Sequence, residues 1–369
     1  MKIQPDSATK TANIIIDFFS NIDRIDDYFR LRKIERVKNL PAPIPGFGLE
    51  DDMFQNYDMS PEDMDIEVTQ IDNQTFNTML EKIASFSPDQ APGKELKLVV
   101  KEKNTNTLLG FIKLGSPIIN SKPRNNYLGD VPELTIFNQR AIMGFIIVPV
   151  QPFGYNYLGG KLMALICTSH KVREMLNDKY ETEFCLFETT SLYGNIKGMS
   201  MYDGLKPFLR FKGDTESKFV PTLGEEAYAS CKKIIEDDIQ DEIIHKDASS
   251  RKLKITTKMI SLIKSSLKET DIELHDKFVS AIKKAESVTT QKRFYMSDYG
   301  YENTRDVLLG KTETLIKGPN YHKHDLENII SWWKRKASSR YNKLKSEDRI
   351  RKELEVWNAD TMNKIDIIR

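Results

Sequence analysis

The chain carries little that would staple it, anchor it or hold a metal. Its three cysteines, Cys167, Cys185 and Cys231, lie far apart in 369 residues and form no CxxC pair. They cannot make a zinc site between them, and they point to structural thiols in a reducing compartment. The five histidines include no H-x-x-x-H pair. His322 and His324 stand two apart, which does not put them on one helix face, so no metal site is expected. No run approaches the ~18 apolar residues of a membrane span, and the N-terminus lacks an apolar signal core. A cytoplasmic protein without membrane insertion is expected. There is no G-x-S-x-G elbow, no Walker A loop, and no carboxylate cluster of the kind two metal ions need, which ranks a nuclease last. An overall excess of one charge is also missing. The formal net charge is +1, which excludes a uniformly basic or acidic protein and leaves room for a local patch.

What is present is a somewhat polar globular composition, 39% hydrophobic and 30% charged, with length for two or three domains at roughly 150 residues each. Residues 1–65 read as an N-terminal helix and linker. From Ala12 to Val37, residues Ile15, Phe18, Phe19, Ile22, Ile25, Phe29 and Ile34 keep a helical rhythm. The opposite face is cationic, either a solvated face or an arm against nucleic-acid backbone. Prolines at 41, 43 and 45 then stop the helix, and an acidic stretch follows.

Residues 66–224 read as an α/β unit. Strands are expected at 66–71, 95–103 and 108–118, with a helix after the capping residue Asp72 or Asn73 carrying Phe76, Met79, Leu80 and Ile83. A polar loop at 120–130, with Lys122 and Arg124 exposed, precedes the stretch that organises the chain, Arg140 to Asn195. Ile142 to Val150 is apolar and β-branched, as a strand buried on both faces would be. Pro149 must bulge or part its ladder. Gly154, Gly159 and Gly160 form a turn, and a helix from about Lys161 carries Leu162, Leu165, Ile166, Val172 and Leu176 at helical spacing. Phe184 to Phe187 returns as a strand. Glu188, Thr189, Thr190, Ser191 and Tyr193 fall just past its end, the edge where α/β sheets bind ligands. The order is β-α-β-β-loop-β-turn-α-β, an α+β mixed-sheet core.

Glu188 is a candidate general base and Tyr193 an acid or orienter. A loop-capping Glu and a Tyr packed over the sheet are the plainer readings. Thr189, Thr190 and Ser191 suit phosphate or substrate, or the satisfaction of turn amides. Tyr202 and Asp203 form a second polar pair, with Asp203 open to Lys206 or Arg210. Residues 225–288 read as a charged helical region and residues 289–369 as a basic, aromatic helical one. In the latter, Ile329, Trp333, Ala337, Tyr341 and Leu344 make an apolar stripe beside Lys336, Arg340 and Lys343. Trp332 to Lys352 holds nine Lys or Arg against two Asp or Glu. With Trp332, Lys334 and Arg335 beside the stripe, this segment is a candidate nucleic-acid surface, aromatics stacking on bases and cations holding phosphates.

The strand, Gly turn and helix resemble the GNAT acyltransferase-like fold over roughly residues 66–225. In that family the turn reads Q/R-x-x-G-x-G/A, and its amides cradle the pyrophosphate of coenzyme A. The matching residues are Asn156, Tyr157, Leu158, Gly159, Gly160 and Lys161. Asn156 stands for the Gln or Arg and Lys161 for the small residue, so the resemblance makes coenzyme A possible and leaves the donor open. Lys161 suits DNA phosphate equally. The F-I-I-V-P strand end, the G-x-x-x-x-L-G-x-x-L helix, ETTSLYGN (188–195) and the segment 202–224 resemble the DUF4338 domain of the Druantia DruA proteins. More distantly, the arrangement is similar to the phage Mom proteins, GNAT-like enzymes that add a carbamoylmethyl group to adenine in DNA. These resemblances imply a phage- or mobile-element-type DNA base-modifying transferase. Glu188 would be its base, Tyr193 and Tyr202 its orienting residues, with Asp203 in the site, and Gly159, Gly160 and Lys161 would meet phosphate. A non-catalytic DNA-binding or anti-defence protein on a degenerate acyltransferase-like scaffold is the alternative.

Overall fold

Strands β1 (Ile66–Gln70), β2 (Glu95–Glu102), β3 (Thr107–Gly115), β4 (Ala141–Pro149), β5 (Leu186–Ser191), β6 (Arg210–Asp214) and β7 (Arg293–Ser297) form one sheet in the order β1-β2-β3-β4-β5-β7-β6. The computed structural model describes residues 2–38, 50–86, 93–192, 198–215, 222–244, 251–288 and 292–366. Every pairing is antiparallel except β4 with β5, so the protein is α+β with a mixed sheet. Strands β2, β3 and β4 are buried along most of their length, which explains their near-continuous apolar runs. Pro149 ends β4 rather than bulging it. The bulge lies at Phe145, where the register with β3 slips between Lys113 and Leu114.

Local chemistry sets the helix boundaries. The single helix expected over Ala12–Val37 is two, α1 (Pro5–Ser20) and α2 (Ile25–Lys38). Between them the Asp27 carboxylate accepts the backbone N–H groups of Asp23 and Arg24 at 3.1 and 2.7 Å, a side-chain closure that competes with helix continuation. Helix α3 (Asn73–Ile83) starts where Asp72 accepts the Thr75 N–H at 2.9 Å. The presumed loop at 120–130 is instead helix α4 (Lys122–Leu128), with α5 (Leu134–Arg140) after it. Pro123 sits inside the start of α4 and Gly129 just past its end with φ +83°, the usual Pro–Gly punctuation of a helix. A short helix α6 (Phe153–Asn156) leads to α7 (Gly159–Cys167) and α8 (His170–Tyr180). The last two replace one expected helix, because Ser169 caps a new start through the Val172 N–H.

The acidic stretch after residue 50, read as linker, supplies Met53, Phe54, Tyr57 and Met64 to buried cores. Phe54 packs edge-on against Phe153 and Tyr157. A second core joins both ends of the chain. Helix α1 packs on α9 (Glu225–Ile239), α10 (Arg251–Thr270) and α11 (Ile272–Ser287), with Trp357 and Ile365 in the same cluster. The sheet does not end at residue 224, since β7 inserts between β5 and β6. A short helix α12 (Thr304–Leu308) follows, and then α13 (Leu326–Ser346), whose stripe Ile329, Trp333, Ala337, Tyr341 and Leu344 is buried.

Candidate functional site

β5 carries the first group of candidates, and it is longer than its apolar core suggested. Glu188, Thr189, Thr190 and Ser191 lie inside the strand rather than beyond it. Pairing with β7, from Phe187 opposite Ser297 to Ser191 opposite Arg293, holds them there. That partner arrives about a hundred residues later, so no local pattern revealed it. Successive strand residues face opposite sides of a sheet, and this alternation separates the candidates. Glu188 and Thr189 look in opposite directions.

On one side, Glu188 meets Arg124 of α4, and neither side chain has any exposed surface. Arg124 donates to the two carboxylate oxygens at 3.0 and 3.2 Å and, through Nη2, to the carbonyls of Ile118 and Ile119 at 2.9 and 2.7 Å. Its guanidinium lies 4.0 Å from the Phe137 ring centre. Burial raises the Glu188 carboxyl to about 7, against the pull of the Arg124 charge and hydrogen bond. Arg124, expected on an exposed loop, is thus the buried partner of the candidate base. The Ser121–Pro123–Gly129 helix punctuation was the signal for it.

On the other side, the Thr189 hydroxyl donates to the Gly144 carbonyl at 2.9 Å. β4 and β5 pair only from Ala141 with Leu186 to Gly144 with Thr189, and then part. Tyr202 is buried beside this point, edge-on to Tyr295 at 5.3 Å. Burial raises its phenol, with the Thr189 side chain pulling the other way. Asp203 accepts from the Tyr295 hydroxyl at 2.8 Å, from Arg293 at 3.3 Å and from the Ser200 N–H at 3.0 Å. Its pairing is therefore with β7 and not with the local cations first considered. Burial pushes its carboxyl up, but these hydrogen bonds and the Arg293 charge bring it below the ordinary range. Arg293, Tyr295 and Ser200 were missed; the short aromatic run F-Y-M within R-F-Y-M-S, buried from Phe294 on, was the available strand signal for the first two. Thr190 and Ser191 are half-buried. Tyr193 lies outside the described residues.

The Gly turn borders the same side. Leu158 is left-handed, with φ 54° and ψ 38°, and α7 opens directly on Gly159 and Gly160. Both glycines are buried by close neighbours. A Cβ on Gly159 would stand 2.6 Å from the Phe153 ring, and one on Gly160 would run into the Met201 methyl. The helix start is thus lined by Phe153 and Met201. Lys161 is half-buried and reaches the Asp203 carbonyl at 3.4 Å. Burial lowers its ammonium; Asp203 opposes this, while Lys336 and Arg340 of α13 add to it. The structure therefore brings Gly160, Lys161, Thr189, Tyr202 and Asp203 together with two cations of the basic helix, and leaves Glu188 on the far face.

The basic helix is not uniform. Trp333 is core, its indole N–H donating to the Tyr157 carbonyl at 2.9 Å. Trp332 is half-buried against Phe208, 5.7 Å between ring centres. Lys334 turns to the Glu62 carbonyl at 2.7 Å, away from Lys161. Arg335, Lys336 and Lys343 are exposed, Lys343 at 4.0 Å from Glu347. His170 and His324 pack internally, His170 donating from Nε2 to the Tyr321 carbonyl and His324 from Nδ1 to the Thr168 carbonyl. Among the described residues no three His, Cys, Asp or Glu are grouped to hold a metal ion, and no helix is long and apolar enough to cross a membrane.

Fold and site together define a mixed-sheet α+β protein with a polar cluster where β4 and β5 part and a cationic helix beside it. Residues 45–200 match the family model described as Druantia protein DruA. The match takes in β1 to β5 and both sides of Glu188 and Thr189, and it stops before Tyr202, Asp203, β7 and α13. No curated protein and no solved structure matches the chain.

Proposed function

We propose that the chain is a nucleic-acid-binding component of a Druantia-type defence against phage. The observation that carries this reading is the convergence of Lys161, Lys336 and Arg340, residues from two distant segments, on one surface. Three cations gathered with Asp203 as the carboxylate acting on Lys161 leave an excess of positive charge, which favours a polyanion, since each phosphate they neutralise releases counterions. The local excess of cations on α13 in a nearly neutral chain supports the same conclusion, as does the match to the DruA family model. Titrating labelled duplex DNA against the protein at several salt concentrations tests it. Affinity should fall with salt and weaken further in Lys161→Ala with Lys336→Ala. Binding that ignores both salt and the double substitution would sink the proposal.

The DNA base-modifying transferase of GNAT-like type stands as a second reading. The parallel pair β4/β5 and its parting at Thr189 favour it, with Asp203, Tyr295, Arg293 and Lys161 gathered beside the opening. Coenzyme A as donor gains little from a helix start lined by Phe153 and Met201. In this reading the proton acceptor is Asp203, because Glu188 is sealed behind Arg124. Mass spectrometry of nucleosides from DNA of cells expressing the protein, beside an Asp203→Asn control, decides it. A new nucleoside mass lost in the control supports the transferase, and unchanged nucleosides remove it.

A further inference from the structure

The start of the Gly turn is tied to the end of the basic helix by a contact neither element announces. After α13 the chain reverses at Asp348, which is left-handed with φ 51°, and the Arg349 N–H bonds back to the Leu344 carbonyl at 2.8 Å, a Schellman-type closure. The returning segment is then caught by Asn156. This buried side chain donates to the Arg351 carbonyl at 2.8 Å and accepts the Arg351 N–H at 3.0 Å. Both ends of its amide are spent on fixing one arginine.

The result is a ring of guanidiniums around Tyr155. Arg351 lies 3.7 Å and Arg340 4.6 Å from the centre of its ring. Arg340 also donates from Nε to the Tyr155 carbonyl at 2.7 Å, and Arg349 donates to the phenol oxygen at 3.3 Å. The side chains of Arg349 and Arg351 remain 57% and 51% exposed. Glu347 pairs with Arg349 at 2.7 Å and Glu355 stands 3.9 Å from Arg351. Two cations stacked on one ring and a third at its hydroxyl repel each other, and guanidinium forks match phosphate oxygens in geometry.

We infer that Arg340, Arg349 and Arg351, organised around Tyr155 and held by Asn156, form a phosphate clamp that continues the α13 surface and grips the backbone of a bound nucleic acid. The inference rests on the nucleic-acid reading above and adds to it a defined contact. Tyr155 is the platform, and Asn156 is a positioning residue acting through Arg351.

The test is the dependence of log affinity on log salt, for a labelled DNA oligonucleotide single-stranded and as duplex, with the full chain. Each lost phosphate contact lowers the slope by about 1 and weakens binding to all sequences alike. Arg349→Ala with Arg351→Ala should lower it by about 2, and the double Lys replacement should restore most of it. Arg349→Gln, a surface change that leaves the fold alone, should lower it by about 1. Asn156→Ala should lower the slope although it removes no charge, in protein whose circular dichroism is unchanged. A slope unmoved by the arginine substitutions, yet reduced by Lys161→Ala with Lys336→Ala, overturns the clamp and leaves the nucleic-acid reading standing. Wild-type protein that binds neither form of DNA overturns both.

Discussion

Arg124 and Glu188, 64 positions apart in the chain, meet with no side-chain surface exposed and with Nη1 donating to both carboxylate oxygens at 3.0 and 3.2 Å. The pair bolts α4 to β5. Breaking a buried pair leaves one charge without its partner, which costs about 3–5 kcal/mol, whereas replacing both members with apolar residues of similar volume is often neutral or better. Arg124→Met should destabilise by about that amount in urea unfolding, and Glu188→Gln by less, because burial already favours the neutral carboxyl. Arg124→Met combined with Glu188→Leu should recover most of the loss. A double variant as unstable as the summed singles would show that the pair is not the unit holding α4.

Glu188 also sets a pH dependence. Its carboxyl moves from the ordinary 4.5 up to about 7 because burial penalises the charged form. Between these values the folded protein keeps a proton that the unfolded chain has released. Stability therefore falls as pH rises through that window, and the favourable contribution is complete below it. Glu188→Gln should flatten the stability profile between pH 4.5 and about 7. A profile of unchanged slope in the variant would place the titrating group elsewhere.

The two glycines at the head of α7 should respond unequally to Ala. A Cβ on Gly159 meets two atoms of the buried Phe153 ring at 2.6 Å and the Gly154 Cα at 3.0 Å, an overpacking that costs about 1–3 kcal/mol. On Gly160 it meets the end of the flexible Met201 side chain, which can swing aside. Ala's helix preference of about 1 kcal/mol over Gly offsets that displacement. Thermal melting should show a clear loss for Gly159→Ala and little change for Gly160→Ala.

The adjacent tryptophans divide in the same way. Trp333 is fully buried and hydrogen-bonded to the Tyr157 carbonyl, so Trp333→Ala should cost about 3–5 kcal/mol. Trp332, half-buried beside Phe208 and 6.0 Å from the Lys336 ammonium, should cost about 1 kcal/mol when cut to Ala. If Trp332 serves the nucleic-acid surface, its removal weakens DNA binding in a protein that melts nearly as before. Equal losses of stability would make both residues core.

Asp203 separates the two functional readings. It sits within reach of Arg293 and near Lys161, so Asp203→Asn removes negative charge from a cationic surface. DNA binding should tighten if that surface only binds phosphate. Where the transferase reading holds, the same change abolishes modification whatever it does to affinity. Fluorescence anisotropy and nucleoside mass spectrometry on one variant read both.

The sequence by itself determined the strands β1 to β4, the capped α3 and the buried stripe of α13, because alternation, helical spacing and capping are local properties of neighbouring residues. It also singled out Lys161, Thr189, Tyr202 and Asp203 as polar residues near a turn. Tertiary structure decided which of them meet. Glu188 and Thr189 are adjacent in sequence yet face opposite sides of β5, and only the arrival of α4 on one side and of Tyr202 on the other gave each its partner. β7 joins the sheet from about a hundred residues away, and Arg351 reaches Tyr155 only because Asn156 catches its backbone. Such contacts follow from the packing of distant segments, whose pairing no local pattern encodes.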